Sequence, residues 1–205
     1  MIKKLFVLTF ASLSFAGLSA QEEPLWMRSC SISPDGKAVV FSYMGDIYCV
    51  GVSGGDAEML TSNPSHDTSP VWSPDGSQIA FASDREGSMD VYVMPSDGGD
   101  IKRLTTHSSA EYPMAWSDAS TVVLRRAGNP TVNNLAFPGG TFYQLYAVST
   151  QGGRQKLFSE LTMDDVSICA DGRILYIDVK GYEDKWRKHH TSSITRDVWM
   201  YAGDS

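Results

Sequence analysis

Ser33-Pro34-Asp35-Gly36 and Trp72-Ser73-Pro74-Asp75-Gly76 carry the same turn, and the residues on either side of it repeat as well. In such a turn Pro presets φ, Asp accepts hydrogen bonds from nearby backbone, and Gly takes the conformation that other residues avoid. A β-rich run follows each copy: Ala38-Val39-Val40-Phe41-Ser42, then Ile79-Ala80-Phe81-Ala82-Ser83. A second run comes next, Asp46-Ile47-Tyr48-Cys49-Val50 and Asp90-Val91-Tyr92-Val93-Met94. Glycine turns follow at Ser53-Gly54-Gly55 and Asp97-Gly98-Gly99, and short runs end in Leu60-Thr61 and Leu104-Thr105. The interval from Thr61 to Trp72 is the same as that from Thr105 to Trp116.

Two further units are looser. The third holds Ala115-Trp116-Ser117, Thr121-Val122-Val123-Leu124, Gln144-Leu145-Tyr146-Ala147-Val148 and the turn Gln151-Gly152-Gly153, with an insertion from about Ala127 to Thr141. The fourth holds Cys169-Ala170-Asp171-Gly172, Ile174-Leu175-Tyr176-Ile177 and Asp197-Val198-Trp199-Met200-Tyr201, with a polar insertion from Lys180 to Arg196. A unit of ~40 residues with four short strands is one blade of a β-propeller. The expected fold is therefore all-β, with four-stranded antiparallel blades at about 26–61, 66–105, 110–158 and 164–205. The Gly-His and Trp-Asp pairs of WD repeats are missing, so this is a different propeller class. The last unit stops before its fourth strand, so the chain reads as a partial propeller or an early truncation.

Composition agrees with this reading. Of 205 residues, 42% are hydrophobic and 20% charged, which suits a globular chain. Acidic residues outnumber basic ones by 24 to 17, and a net charge of −7 argues against a nucleic-acid or anionic-membrane surface. Residues 1–20 read as a signal peptide. Lys3 and Lys4 precede the apolar stretch Leu5–Leu18, and Ser19-Ala20 forms a small-residue cleavage site before Gln21. The stretch is shorter than the ~20 residues that span a bilayer, so no membrane anchor is expected after cleavage. A periplasmic or secreted location follows. Cys30, Cys49 and Cys169 have no zinc-site spacing, and a Cys30–Cys49 bridge is left open.

The turn Trp72-Ser73-Pro74-Asp75-Gly76, the run Ala82-Ser83-Asp84-Arg85 and the strand Asp90-Val91-Tyr92 resemble the TolB-type propeller repeat. Glu23-Pro24-Leu25-Trp26-Met27-Arg28 and the insertion Lys180-Gly181-Tyr182-Glu183-Asp184-Lys185-Trp186-Arg187-Lys188-His189-His190 are similar to bacterial tricorn-like serine proteases, over essentially all of residues 21–205. That resemblance implies an N-terminal propeller that handles or gates peptides or unfolded proteins, with downstream protease domains carrying the nucleophile and its His. It implies no catalytic residue and no cofactor in this chain. The rival reading is a TolB-like, non-catalytic periplasmic scaffold that binds a protein partner.

Candidate chemistry is sparse. Gly51-Val52-Ser53-Gly54-Gly55 has the spacing of a nucleophile elbow, but an elbow joins a strand to a helix and this one joins two strands. His66, Asp67 and Ser69 crowd into one short loop, whereas a triad converges from separate elements. Glu183, Asp184, His189 and His190 fit no metal-ligand pattern, so no metal site is expected. Substrate contacts are expected at Arg125 and Arg126, whose forks suit carboxylates, and at Trp186, Arg187, His189 and His190 in the insertion. Purified chain should turn over no casein, and Ser53→Ala should change nothing; peptidase activity abolished by that substitution would contradict the reading.

Overall fold

A computed structural model of the chain describes residues 26–127, 143–159, 161, 163–169, 171–178 and 198–202. The proposed signal peptide lies outside the described residues, as do Trp186, Arg187, His189 and His190. All regular structure among the described residues is β, in four antiparallel sheets. Blade 1 is β1 (Arg28–Ile32), β2 (Ala38–Tyr43), β3 (Asp46–Gly51) and β4 (Glu58–Met59). Blade 2 is β5 (Asp67–Trp72), β6 (Gln78–Glu86), β7 (Ser88–Pro95) and β8 (Lys102–Arg103). Blade 3 is β9 (Glu111–Asp118), β10 (Thr121–Ala127), β11 (Tyr143–Ser149) and β12 (Lys156–Ser159). Blade 4 is β13 (Met163–Ile168), β14 (Ile174–Asp178) and β15 (Val198–Tyr201). The first strands of successive blades, β1, β5, β9 and β13, pack on one another and so gather around the axis. This is the propeller that the repeat predicts.

The turn works as its residue types require. Ser73 is fully buried; its hydroxyl donates to Asp75 at 2.6 Å and accepts the Gln78 amide at 2.9 Å. Gly76, at φ 72°, closes the turn by donating to the Ser73 carbonyl. Ser33, Asp35, Ala38 and Gly36 repeat the same bonds in blade 1. The Leu-Thr ending has its own task. The Thr61 hydroxyl accepts the Ile47 amide and the Thr105 hydroxyl accepts the Val91 amide, both at 2.9 Å, where the fourth strand leaves the third.

Both faces of an inner blade are buried, so its middle strands are apolar without interruption. Alternation then divides the residues between two neighbours. In blade 2, Ile79, Phe81, Tyr92 and Met94 pack against Val40 and Ile47 of blade 1. Ala80, Val91 and Val93 face Trp116, Val122, Leu124 and Tyr146 of blade 3. Blades 3 and 4 meet through Val123, Leu145, Met163, Val166 and Ile174. The tryptophans set the spacing. The Trp72 indole donates to the Ser31 carbonyl and the Trp116 indole to the Val71 carbonyl, each at 3.2 Å.

Two outcomes follow. Trp116→Phe removes the indole donor and leaves a void beside Val71, and should lower stability by about 1–3 kcal/mol in denaturant unfolding. The second concerns acid. Hydrogen bonds from the Ser73 hydroxyl, then from the Ser77 amide and hydroxyl, hold the Asp75 carboxyl below the usual carboxylate range. A carboxyl lowered in the folded state stabilises above its unfolded pKa of ~3.9, and that contribution is lost as pH falls through the folded value. Asp75→Asn should therefore lower the melting temperature at pH 7 and reduce its fall below about pH 4.

Candidate functional site

The four first strands do not run straight. Their pairing slips between Arg28 and Ser31, between Thr68 and Val71, and between Asp164 and Val166. Ser29, Ser69 and Asp165 occupy these bulges at φ 51°, 54° and 46°. Such a conformation disfavours a side chain by roughly 1–2 kcal/mol, and bulges of this kind re-aim a strand. In blade 3 the equivalent residue is Pro113, whose ring forbids positive φ, and the slip there is taken by Met114.

The bulged residues line one end of an axial space. A cavity of about 590 Å³ runs between Ser29–Ser31, Ser69–Val71, Tyr112–Met114, Arg125 and the open side of blade 4. A second, of about 630 Å³, lies at the turn end, between Ile32, Trp72, Trp116, Asp118 and Ile168. The first is lined by serine hydroxyls, Asp165 and the Arg125 guanidinium beside apolar groups.

Arg125 and Arg126 are adjacent on β10 and so point to opposite faces of blade 3. Arg125 lines the axial cavity, with its guanidinium carbon 4.7 Å from the centre of the Tyr143 ring and 5.8 Å from that of Tyr112. Arg126 turns the other way and is buried. It stacks on Tyr146 at 3.7 Å, lies 3.6 Å from the Glu111 carboxylate and donates to Gln155, which in turn donates to Glu111 at 2.7 Å. Arg126 also borders a third cavity, of about 530 Å³, with His107, Arg154 and Thr105 at the rim between blades 2 and 3. The expected pair is thus divided: one guanidinium reaches the axial space, and the other is tied to a buried acid.

Glu111 has a counterpart in Asp67, at the start of β5. Asp67 is fully buried and receives two hydrogen bonds from Arg85, at 2.9 and 3.0 Å. Arg85 also lies over the Phe81 and Tyr92 rings. Asp90 and Arg103 form a third pair at 2.6 Å. The acid at the head of the first strand, Asp67 or Glu111, recurs at one position of the repeat and is buried in both blades. Both Asp67 carboxylate oxygens accept from Arg85, which takes the place a His–Asp couple with His66 would need. Ser53 sits in the turn between β3 and β4, closed by the Gly54 amide on the Gly51 carbonyl.

All three cysteines are free. Cys30 and Cys49 lie on β1 and β3 with β2 between them, so two inter-strand steps, about 10 Å, separate them and exceed the reach of a disulfide. Burial, with a lesser effect from Glu58, pushes the Cys49 thiol up. Among the described residues no group of three or more His, Cys, Asp or Glu is placed to hold a metal ion.

The tricorn protease N-terminal beta propeller domain matches this chain over residues 24–205. The chain belongs to that family. Solved structures agree on the fold of this tricorn-type propeller. A putative TolB from Agrobacterium tumefaciens matches 87% of the chain and 58% of its own length, at 19% identity and a TM-score of 0.64. TolB from Acinetobacter baumannii matches 77% of the chain and 38% of its own length, at 26% identity and 0.57. A puromycin hydrolase matches 74% of the chain and 25% of its own length, at 16% identity and 0.53. The chain therefore spans less than two thirds of the length of each of these structures.

The two arginines should respond differently to substitution. Arg126→Met leaves Glu111 charged and buried beside an apolar chain, and should cost about 3–5 kcal/mol in denaturant unfolding. Arg125→Met, on a partly buried residue stacked on Tyr143 and Tyr112, should cost less than Arg126→Met.

Proposed function

We propose that this chain is the propeller part of an exported tricorn-like serine peptidase, and that it handles or gates peptides for a catalytic core elsewhere in that protein. The family match over residues 24–205 carries the reading. The axial cavity supports it, because hydroxyls and a guanidinium on curved strands suit an extended chain ending in a carboxylate. Arg125 is the proposed carboxylate contact. Arg126 positions β9 and β10 through Glu111 rather than touching the peptide. Trp186, Arg187, His189 and His190 are proposed to contact the peptide or a neighbouring protease domain. Export rests on residues 1–20, and a periplasmic or secreted site follows from it.

A second reading has its own support. TolB from Acinetobacter baumannii is 26% identical over 77% of the chain, which favours a scaffold that binds a protein partner with no peptidase attached. Peptide chemistry separates the two. Labelled peptides with free C-termini should bind the purified chain more tightly than the same peptides amidated. Arg125→Gln should weaken the free-acid peptides by about 10- to 100-fold, the loss of one charge-assisted contact, and leave the amides unchanged. Equal binding of acid and amide, unaffected by Arg125→Gln, would reject the peptide-handling reading.

A further inference from the structure

The third cavity, of about 530 Å³, lies at the rim between blades 2 and 3, each of which has a blade on both sides. The junction between blades 1 and 2 is built from the same positions of the repeat, so it shows which residues a junction needs. Counted back from Trp116 and Trp72, His107 stands where Asn63 stands in that first junction. Counted on from Gly153 and Gly99, Arg154 stands where Asp100 does, and Gln155 where Ile101 does. Blade 1 also has an acid at the place of Arg154, in Asp56 after Gly55. Strand pairing sets Arg126 opposite Glu111, where blade 2 sets Ser83 opposite Asp67. At the first junction Ile101 packs against the shared apolar cluster, as Leu60 does. At the second, four departures from the repeat bring two guanidiniums, an imidazole and an amide to one cavity. Packing of the blades does not require them, since the first junction is closed without them.

We propose that this cavity binds a small oxyanion, the phosphate or carboxylate group of a small molecule. No Asp or Glu is among the residues that line it. The acids nearby are already matched, Glu111 by Gln155 and Arg126, and Asp90 by Arg103. The Arg126 side chain is 10% exposed; its Nη1 donates to Gln155, and its Nε–H is buried with no acceptor. His107 accepts the Ser109 amide at Nδ1, at 3.0 Å, which leaves the ring hydrogen on Nε2 as a donor. Arg154 is exposed, and among the described residues no carboxylate pairs with it. Glu111 offsets the charge of Arg126, so Arg154 supplies the net charge of the site. Arg126, His107 and the Thr106 hydroxyl supply directed donors. A planar guanidinium offers two parallel N–H groups to two oxygens, a match that phosphate and carboxylate share. The site lies on the opposite face of blade 3 from Arg125 and shares nothing with the axial cavity.

Calorimetric titration of the purified chain with inorganic phosphate and, separately, with succinate tests this, at constant ionic strength set by chloride. At least one of the two should saturate a single site, and the tighter one identifies the group. Arg154→Asp restores the residue type that blades 1 and 2 carry at this place, so the variant should melt as wild type does. It should weaken binding by about 10- to 100-fold, the loss of one charge-assisted contact. His107→Asn restores the residue of the first junction and should weaken binding by about two- to tenfold, the loss of one neutral hydrogen bond. Arg125→Gln should leave binding unchanged. Arg154→Gln takes the place of Arg154→Asp if the latter fails to melt cooperatively, with a loss in the same direction. Failure of both anions to saturate a site would overturn the proposal. So would binding that survives substitution of Arg154. Binding lost in Arg125→Gln instead would place the anion in the axial cavity and overturn it as well.

Discussion

An indole N–H reaching from one blade to a carbonyl on the innermost strand of the blade before it sets the spacing of this propeller. Trp72 to Ser31 and Trp116 to Val71 are the same contact made twice, at the same distance. A tryptophan fills the wedge between two twisted sheets and satisfies its one polar atom there, which fixes how far the second sheet is turned from the first. Ile168 takes the position in blade 4 and fills the wedge by packing alone. The order of the ring depends on these wedges, because each blade has two apolar faces and cannot bury both without neighbours.

Polar groups near the axis are organised by the same geometry. The first strand of each blade lies closest to the axis. An acid at its head is surrounded by protein on both sides. Asp67 and Glu111 are fully buried and each is matched by an arginine from the second strand. Breaking such a pair is costly, although forming it contributes little net stability, so the pairs define register more than they add free energy. Serine hydroxyls, Asp165 and Arg125 are among the polar groups that line the axial space, which includes three residues in a disfavoured backbone conformation. Strain of this kind collects where a fold must present a particular surface.

The polar groups at the axis of the tricorn-type propeller lie apart from the run that has the spacing of a nucleophile elbow. Serine hydroxyls, Asp165, Arg125 and tyrosines surround a cavity of about 590 Å³. The Gly-x-Ser-x-Gly run illustrates the difference. Its glycines, at φ 83° and 124° for Gly54 and Gly55, serve a turn between strands. The matching turns at Gly98-Gly99 and Gly152-Gly153 share the conformation with no serine at that position.

Much of the fold was legible because propeller blades repeat, and a local repeat is written in local residues. Ser-Pro-Asp-Gly, Asp-Ile-Tyr or Asp-Val-Tyr, Gly-Gly and Leu-Thr each encode a turn or strand through bonds that span a few residues or one hairpin. The sequence by itself therefore determined the all-β class, the strand order within a blade and the recurrence of a tryptophan, Trp72 and Trp116, at one position of the repeat. Tertiary structure decided what depends on neighbours far apart in the chain. It separated Arg125 from Arg126, since adjacent strand residues face opposite sides and only packing says which side meets the axis. It gave Asp67 to Arg85 and Glu111 to Gln155 and Arg126, because a buried acid is matched by whichever donor the next strand brings. It kept Cys30 and Cys49 apart by laying β2 between them. Side-chain chemistry is local, but the axis exists only once the first strands of four sheets have packed on one another.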